Sequence, residues 1–194
     1  NSVIFLIAGN VIKNIEKKLK EMDVMVEKRD LKRSEFGLKT VSLAGYTNSG
    51  KSTLFNRLTK GSQITSDAPF TTLQSKIASA FLGGRKILIT DTIGFIEDLP
   101  HSLISAFRAT LSSIRNSDLV LLVCDISEEQ AIEKARICRA TLNEIGAGDI
   151  PLVNVLNKSD KGGYIEGFGN SVLVSARYGH GLNSLKEAIS EMLF

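Results

Sequence analysis

Hydrophobic positions from residue 39 onward alternate between two patterns, one typical of buried strands and one typical of amphipathic helices. Six short apolar runs predict strands at 40–45, 75–82, 86–91, 119–124, 152–156 and 171–174. Apolar residues spaced three and four apart predict helices at 51–59, about 101–114, 128–145 and 182–193. Gly83-Gly84 indicates a hairpin between the second and third strands. The alternation predicts an α/β fold with a six-stranded, mainly parallel sheet covered by helices on both faces.

A different hydrophobic pattern, a narrow apolar stripe, precedes the predicted sheet. Between about residues 11 and 34, apolar residues recur at spacings of three and four, with charges between them, at Ile12, Ile15, Leu19, Met22 and Val26. This spacing is typical of a coiled-coil-like amphipathic helix, which needs a partner helix or a domain to pack against. Phe36-Gly37-Leu38 is consistent with a helix stop and a linker. We therefore expect a helical segment with its linker at 1–38 and the main domain at 39–194.

Composition and charge add limits to this picture. The length of 194 residues allows one α/β domain and a modest appendage. Residues 13–39 hold nine basic and six acidic residues, while the rest holds fifteen of each, so the net charge of +3 lies in the predicted N-terminal helix. That surplus favours a polyanion such as RNA, although a solvated helix face explains it equally well. The run 3–8 is too short to span a bilayer, and Cys124 and Cys138 are expected to be reduced core thiols.

The first candidate site is a complete GxxxxGK[ST] motif at residues 45–52, between a predicted strand and a predicted helix. A glycine turn that leads into a helix N-terminus points several backbone N–H groups at one anion. Lys51 is expected to reach the β- and γ-phosphates, and the Ser52 hydroxyl to ligate Mg²⁺. The segment therefore predicts a nucleoside triphosphate site, with contacts from Gly45, Tyr46, Thr47, Asn48, Ser49, Gly50, Lys51, Ser52 and Thr53.

Two later motifs favour guanine over adenine. Asn157-Lys158-Ser159-Asp160 follows an apolar run, at the strand end where open α/β sheets bind ligands. The Asp160 carboxylate is expected to accept hydrogen bonds from guanine N1–H and N2–H₂, whereas adenine would leave it unpaired. Ser175-Ala176-Arg177 ends the next predicted strand, where a backbone N–H is expected to meet guanine O6. Together the motifs predict GTP, and Asp160 argues against an ATPase.

A third motif, Asp91-Thr92-Ile93-Gly94, ends the strand predicted at 86–91. Asp91 is expected to hold a Mg²⁺-bound water, and the Gly94 N–H to sense the γ-phosphate. Between the phosphate motifs, Thr72 is our choice for the second hydroxyl on Mg²⁺, with Thr71 the reserve. These loops are candidate switch segments, ordered by the γ-phosphate and released after hydrolysis.

The chain resembles the translation-factor-related P-loop GTPases, and within them the HflX family. The resemblance rests on 45–54, on Phe70-Thr71-Thr72-Leu73, on 91–96 and on the stretch from Leu99-Pro100-His101 to 107–111. It implies a P-loop NTPase G domain, Mg²⁺-dependent GTP hydrolysis and association with the large ribosomal subunit or its RNA. In that family a helical domain precedes the G domain, so 11–34 resembles its last helix. The glycine-rich acidic motif that precedes this helix in the family is not recognisable here, and residues 1–10 are too few for a whole N-terminal domain, so we expect a fragment of a longer chain. The Phe-Thr-Thr-Leu switch also resembles that of the Obg family.

The residues that follow the third motif bear on hydrolysis. Many GTPases place a Gln after DxxG to orient the attacking water, but Phe95 and Ile96 stand here. We therefore expect slow intrinsic turnover, with catalytic roles for Lys51, Thr72 and Gly94 and a partner that completes the site. In related GTPases an Asn at the position of Asn48 ligates a monovalent cation, so K⁺ is a second candidate cofactor; a loop-stabilising hydrogen bond is the alternative.

Other candidates are weaker. His101 and His180 lack neighbours at metal-ligand spacing and are expected at the surface or in turns, and Arg108 is expected to form a helix ion pair rather than a catalytic finger. We expect a cytoplasmic, monomeric GTP/GDP switch that binds the large ribosomal subunit, with no DNA partner and no integral membrane segment. The alternative is an Obg-like RNA or ribosome assembly module in which GTP is chiefly an occupancy signal.

Overall fold

The computed structural model describes residues 37–59, 76–92, 114–163 and 167–194. Six strands form one sheet in the order β2-β3-β1-β4-β5-β6. The strands are β1 Lys39–Ala44, β2 Lys76–Leu82, β3 Arg85–Asp91, β4 Leu119–Asp125, β5 Leu152–Asn157 and β6 Ser171–Leu173. The helices are α1 Lys51–Leu58, α2 Ala131–Glu144 and α3 Leu182–Leu193, with a 3₁₀ turn at Ser159–Lys161. The predicted α/β fold with a six-stranded sheet is confirmed.

Four of the five strand pairs are parallel, and β2 is the antiparallel edge strand. It pairs with β3 through the hairpin predicted at Gly83 and Gly84, both of which have positive φ. The parallel strands require crossovers, which place helices on the two faces. Because β1, β3, β4 and β5 run in the same direction, the segments that follow them emerge at one edge of the sheet.

Strand β4 separates two hydrophobic cores and is buried along its whole length. Leu119, Leu121 and Val123 face the core that contains Leu54 and Phe55 of α1 together with Leu185 of α3. The alternate residues Val120, Leu122 and Cys124 face the core beneath α2, with Ala135, Cys138 and Leu142. The period of two in the strand thus distributes its side chains between both layers. The buried centre of the sheet therefore leads directly to the strand ends where the motifs meet.

At the opposite ends of the strands, Asp118 lies just before β4 and contacts the start of β1. Its carboxylate accepts hydrogen bonds from the Thr40 N–H at 2.8 Å, from the Thr40 hydroxyl at 3.1 Å and from Lys39 Nζ at 2.7 Å. Burial alone would raise the pKa of Asp118, but these hydrogen bonds and the Lys39 charge together hold it below its usual value. The contacts attach the start of β1 to the segment that enters β4.

Helix α2 begins later than the pattern predicted, at Ala131 rather than 128. The Asp125 side chain explains the difference, because its Oδ1 accepts hydrogen bonds from both the Ser127 N–H and the Ser127 hydroxyl. This local turn competes with helix formation over 126–130. The helix predicted at about 101–114 lies almost wholly outside the described residues, as does the N-terminal helix predicted at 11–34.

Candidate nucleotide-binding site

The loop between β1 and α1 requires glycine at two positions. Gly45 has φ of 142°, and a Cβ there would lie 2.3 Å from the Val123 carbonyl oxygen. Gly50 has φ of 98°, and a Cβ there would lie 2.2 Å from Asn157 Nδ2. Neither position accepts a side chain without displacing a neighbour. The two glycines therefore let the loop lie directly against β4 and β5.

The same loop leaves the N-terminus of α1 open to an anion. Gly50 is the N-cap residue, and no side chain caps the helix. The first N–H groups of a helix have no partner within the helix, and the helix dipole adds positive potential there. Ser49 Oγ is buried in this loop without a hydrogen-bond partner among the described residues. Unpaired donors around a helix N-terminus fit a phosphate group.

Lys51, the first residue of α1, folds back over the loop. Its Nζ donates hydrogen bonds to the carbonyl oxygens of Gly45 at 3.0 Å and Tyr46 at 2.5 Å. The residue is only 7% exposed. Burial lowers its pKa to about 8, although the Asp91 carboxylate opposes the shift. A phosphate charge beside Nζ would stabilise the ammonium form.

Asp91, at the end of β3, is 7% exposed, and its Oδ1 has no hydrogen-bond partner among the described residues. Burial raises the pKa of this carboxyl, while a hydrogen bond from the Ser52 side chain and the charge of Lys51 oppose the rise. The structure thus brings together the two predicted Mg²⁺ partners that it describes, Ser52 and Asp91. A buried carboxylate oxygen beside a hydroxyl fits Mg²⁺, which takes few protein oxygens and retains several waters. No cluster of three or more His, Cys, Asp or Glu with metal-binding geometry occurs in the described ranges.

Asn157 connects the phosphate loop with the segment after β6. Its Nδ2 donates to the Ser49 carbonyl oxygen at 2.8 Å, and its Oδ1 accepts the Ala176 N–H at 3.0 Å. The residue is 2% exposed, so the amide has little access to water. A buried amide with both ends paired fixes the distance between the two loops that it joins.

Asp160 lies at the mouth of a neighbouring cavity. It is exposed, and its Oδ1 accepts a hydrogen bond from the Ser175 hydroxyl at 2.5 Å. That hydrogen bond lowers the pKa of Asp160 and favours the carboxylate. The cavity has a volume of about 240 Å³ and is lined by Gly50, Thr53, Asn157, Lys158, Asp160, Lys161, Ala176 and Arg177. An ionised acceptor at its rim suits a base that presents two N–H donors.

The segment 175–177 was expected to offer a backbone N–H to guanine O6. Two of its three N–H groups are already paired: Ser175 donates to the His180 carbonyl oxygen and Ala176 donates to Asn157. The Arg177 N–H has no hydrogen-bond partner among the described residues. Arg177 also lines the cavity, so its N–H is the candidate donor to the base.

Two residues that sequence reasoning missed, Asp125 and Arg57, contact Lys158 and the segment 175–177. Asp125 forms an ion pair with Lys158, which has φ of 64° in the left-handed region. Arg57, in the last turn of α1, donates hydrogen bonds to the carbonyl oxygens of Ala176 and Arg177. The position of Asp125 at the carboxyl end of a parallel strand was a usable signal. Nothing in the spacing of Arg57 indicated its partners, which lie more than a hundred residues away.

Several predicted residues lie outside the described ranges: Thr71, Thr72, Gly94, Phe95, Ile96, His101 and Arg108. Of the other candidates, His180 is exposed, as expected, pairs with Ser175 in a β-bridge, and has its ring stacked on Tyr178. Cys124 and Cys138 are buried and free, as expected, and burial raises the pKa of each thiol to about 12. Among the described helices, none has the length and apolar character needed to cross a membrane.

Comparison with known proteins finds that the chain is similar to GTPases. A sequence-family profile described as "50S ribosome-binding GTPase" matches residues 40–158. GTPase HflX of Caldanaerobacter subterraneus subsp. tengcongensis is 37% identical over 187 residues, covering 95% of this chain and 44% of the relative. GTPase HflX of Escherichia coli is 36% identical, covering 95% of this chain and 45% of the relative. The chain thus spans less than half the length of these curated relatives.

Solved structures give the same result for the fold. A GTP-binding protein from Sulfolobus solfataricus in complex with GDP aligns with a TM-score of 0.66 at 26% identity, covering 97% of this chain and 61% of that one. The cytosolic domain of the FeoB iron transporter from T. maritima in its GMPPNP form aligns with a TM-score of 0.61 at 27% identity. That alignment covers 79% of this chain and 63% of the other.

Proposed function

This chain belongs to the family of 50S ribosome-binding GTPases and to the HflX group, and we propose that it binds GTP and hydrolyses it to GDP and phosphate. The observation that carries the proposal is the Asn157 amide, which joins the phosphate loop to the segment beside the Asp160 cavity. A phosphate-binding loop and a base-sized cavity that share one buried side chain suit one nucleotide that fills both.

The phosphate half of the proposed site uses α1 and the end of β3. The N–H groups at the start of α1 and the Lys51 ammonium would hold the β- and γ-phosphates. Ser52 would ligate Mg²⁺ directly and Asp91 through a water, with Thr72 proposed as a second hydroxyl ligand and Gly94 as the γ-phosphate sensor. Bound Mg²⁺ would neutralise phosphate charge that develops in the reaction. The unpaired Oδ1 of Asp91 supports this assignment.

The base half selects guanine. Asp160 would accept the guanine N1–H and N2–H₂ groups, and the hydrogen bond from Ser175 keeps its carboxylate ionised and oriented. Lys158 lines the same cavity, where its ion pair with Asp125 limits the movement of its side chain. Adenine offers no matching donor pair, which would weaken its binding by about 1–3 kcal/mol or more.

Hydrolysis by the chain alone is proposed to be slow, because Phe95 stands where a water-orienting side chain is needed. Asn48 is the proposed K⁺ ligand; its φ of 60° places it in a strained turn of the phosphate loop. Comparing GTP turnover in K⁺ and Na⁺ buffers, for the wild type and Asn48→Ala, tests this role. Equal rates in all four conditions would remove K⁺ from the proposal.

A binding experiment tests the guanine assignment. We expect the wild-type chain to bind GDP at least tenfold more tightly than ADP, and Asp160→Asn to shift the preference toward xanthosine diphosphate. Xanthine presents a carbonyl where guanine has N2–H₂, so an amide donor suits it better. Asp149→Asn, an exposed site away from the cavity, is the matched control and should leave the preference for GDP unchanged. An Asp160→Asn variant that retained the wild-type preference would contradict the assignment.

We further propose that the nucleotide state controls affinity for the large ribosomal subunit. The family description and the basic surplus of residues 13–39 support this partner. Co-sedimentation with large subunits should be stronger with a non-hydrolysable GTP analogue than with GDP, and Lys51→Ala should lose the difference. Binding that requires residues 11–34 but not the nucleotide would instead favour the assembly-module alternative.

A further inference from the structure

We propose that Arg57 is a positioning residue that sets guanine specificity by orienting the peptide unit between Ala176 and Arg177. This role rests on the proposed function, since it concerns how the same site recognises its base. Arg57 is not itself among the residues that line the cavity, but it donates hydrogen bonds to Ala176 and Arg177, which are, so it acts through the segment that it holds.

The contact joins two distant parts of the chain. Arg57 Nε donates to the Ala176 carbonyl oxygen at 3.0 Å, and Nη2 donates to the Arg177 carbonyl oxygen. Arg57 is half-buried in the last turn of the helix whose first turn forms the phosphate site. A guanidinium has several donors in one rigid plane, so a single side chain fixes two consecutive carbonyl groups.

The planar peptide bond between Ala176 and Arg177 couples the direction of the Ala176 carbonyl to that of the Arg177 N–H. The Ala176 carbonyl and the Arg177 N–H belong to one planar peptide unit, and in a trans peptide they point in opposite directions. No cis peptide bond occurs among the described residues. Holding the carbonyl against Arg57 therefore fixes the direction in which the Arg177 N–H points, and both Ala176 and Arg177 line the cavity.

The Arg177 N–H is the donor that the segment 175–177 has left among the described residues. The N–H groups of Ser175 and Ala176 are taken by His180 and Asn157, so within this segment the Arg177 N–H is available to guanine O6. A charged donor on a peptide carbonyl also polarises the peptide unit and strengthens the hydrogen bond that its N–H makes. Arg57 thereby improves both the direction and the strength of O6 recognition.

Three diphosphates separate this role from that of Asp160. IDP keeps O6 and N1–H but lacks the N2 amine, so the ratio of GDP to IDP affinity reports on the N2 contact. ADP lacks both O6 and N1–H, so the ratio of IDP to ADP affinity reports on the O6 donor together with the N1–H contact to Asp160. A fall in this ratio at an unchanged GDP-to-IDP ratio is assigned to O6, because a displaced Asp160 carboxylate would alter both ratios. We expect Arg57→Ala to reduce the IDP-to-ADP ratio roughly tenfold, the loss of one charge-assisted contact, and to leave the GDP-to-IDP ratio unchanged. Arg57→Lys, with donors for one carbonyl at a time, should give an intermediate ratio.

The control is Arg136→Ala, which removes an exposed arginine that forms an ion pair with Glu133 on α2. It should change neither ratio. If Arg57→Ala does not fold, Arg57→Lys carries the test with the same two ratios. An unchanged IDP-to-ADP ratio, or a proportional fall in both ratios, would show that Arg57 only stabilises the fold and would overturn the inference. A wild-type chain that does not prefer GDP to ADP would overturn the proposed function, and the role of Arg57 with it.

Discussion

Gly50 shows how one missing side chain serves two loops. Its positive φ strains any substitution, and its missing Cβ leaves room for the Asn157 amide. We expect Gly50→Ala to lower the free energy of unfolding by about 2 kcal/mol or more and to weaken GDP binding, because Asn157 must move from Ser49 and Ala176. Urea unfolding and GDP titration measure the two effects.

The matched control for this prediction is Gly84→Ala. Gly84 also has a positive φ, of 78°, but a Cβ there meets nothing within 4 Å. That variant carries the backbone strain without the collision and should leave GDP binding intact. Equal effects of the two substitutions on GDP binding would mean that Asn157 tolerates the displacement.

Lys51 provides a pH-dependent prediction at the same scale. Burial lowers the pKa of Lys51 to about 8 in the folded chain from its ordinary value of 10.5, so between these values the unfolded chain binds more protons. The free energy of unfolding of the protein without nucleotide should therefore rise with pH above about 8, by up to about 1.4 kcal/mol per pH unit. Lys51→Met lacks the group and corrects for all other titrations. Parallel stability profiles for the two proteins would contradict the shift.

At the scale of elements, the Asp118 cluster fixes β1 relative to the segment before β4. Asp118→Asn should lower the free energy of unfolding by about 1–2 kcal/mol at neutral pH, because the acceptor of three hydrogen bonds loses its charge. The pKa of Asp118 is held below 3.8 in the fold, so this contribution is present above that value and is lost as the pH falls through the folded pKa. Denaturant unfolding at neutral and acid pH, with Asp149→Asn as the control, checks both parts.

The elements also show what a sequence pattern can predict. Each strand was placed to within one residue, because strands such as Leu119–Asp125 are continuous apolar runs with polar ends. The predicted start of α2 was three residues too early, because the Asp125 carboxylate accepts a hydrogen bond from the Ser127 N–H and forms a local turn there. The motif residues were recognisable by spacing. Arg57 was not, because its partners Ala176 and Arg177 are set by tertiary packing with a segment far away in the chain. Asp125 had a signal only in its position at the carboxyl end of a parallel strand.

At the scale of the whole molecule, the reactivity of the Cys124 and Cys138 thiols reports on unfolding of the domain. Both are buried in the core between β4 and α2, where burial raises the pKa of each thiol to about 12. We expect the native protein to react with a disulfide reagent orders of magnitude more slowly than free cysteine at the same pH, and the unfolded chain to react at the rate of free cysteine. GDP should slow the native reaction further, because a ligand that binds the folded state stabilises it against unfolding. Rapid labelling of the native protein would contradict the packing of α2.

The shared amide of Asn157 has a consequence for partial ligands. It holds the phosphate loop and the base segment at a fixed spacing, so a nucleotide anchored at one end presents its other end at a high effective concentration. Guanosine and pyrophosphate offered as separate fragments should each bind weakly. Their joined form should bind far more tightly than the two fragments together, as a chelating ligand does.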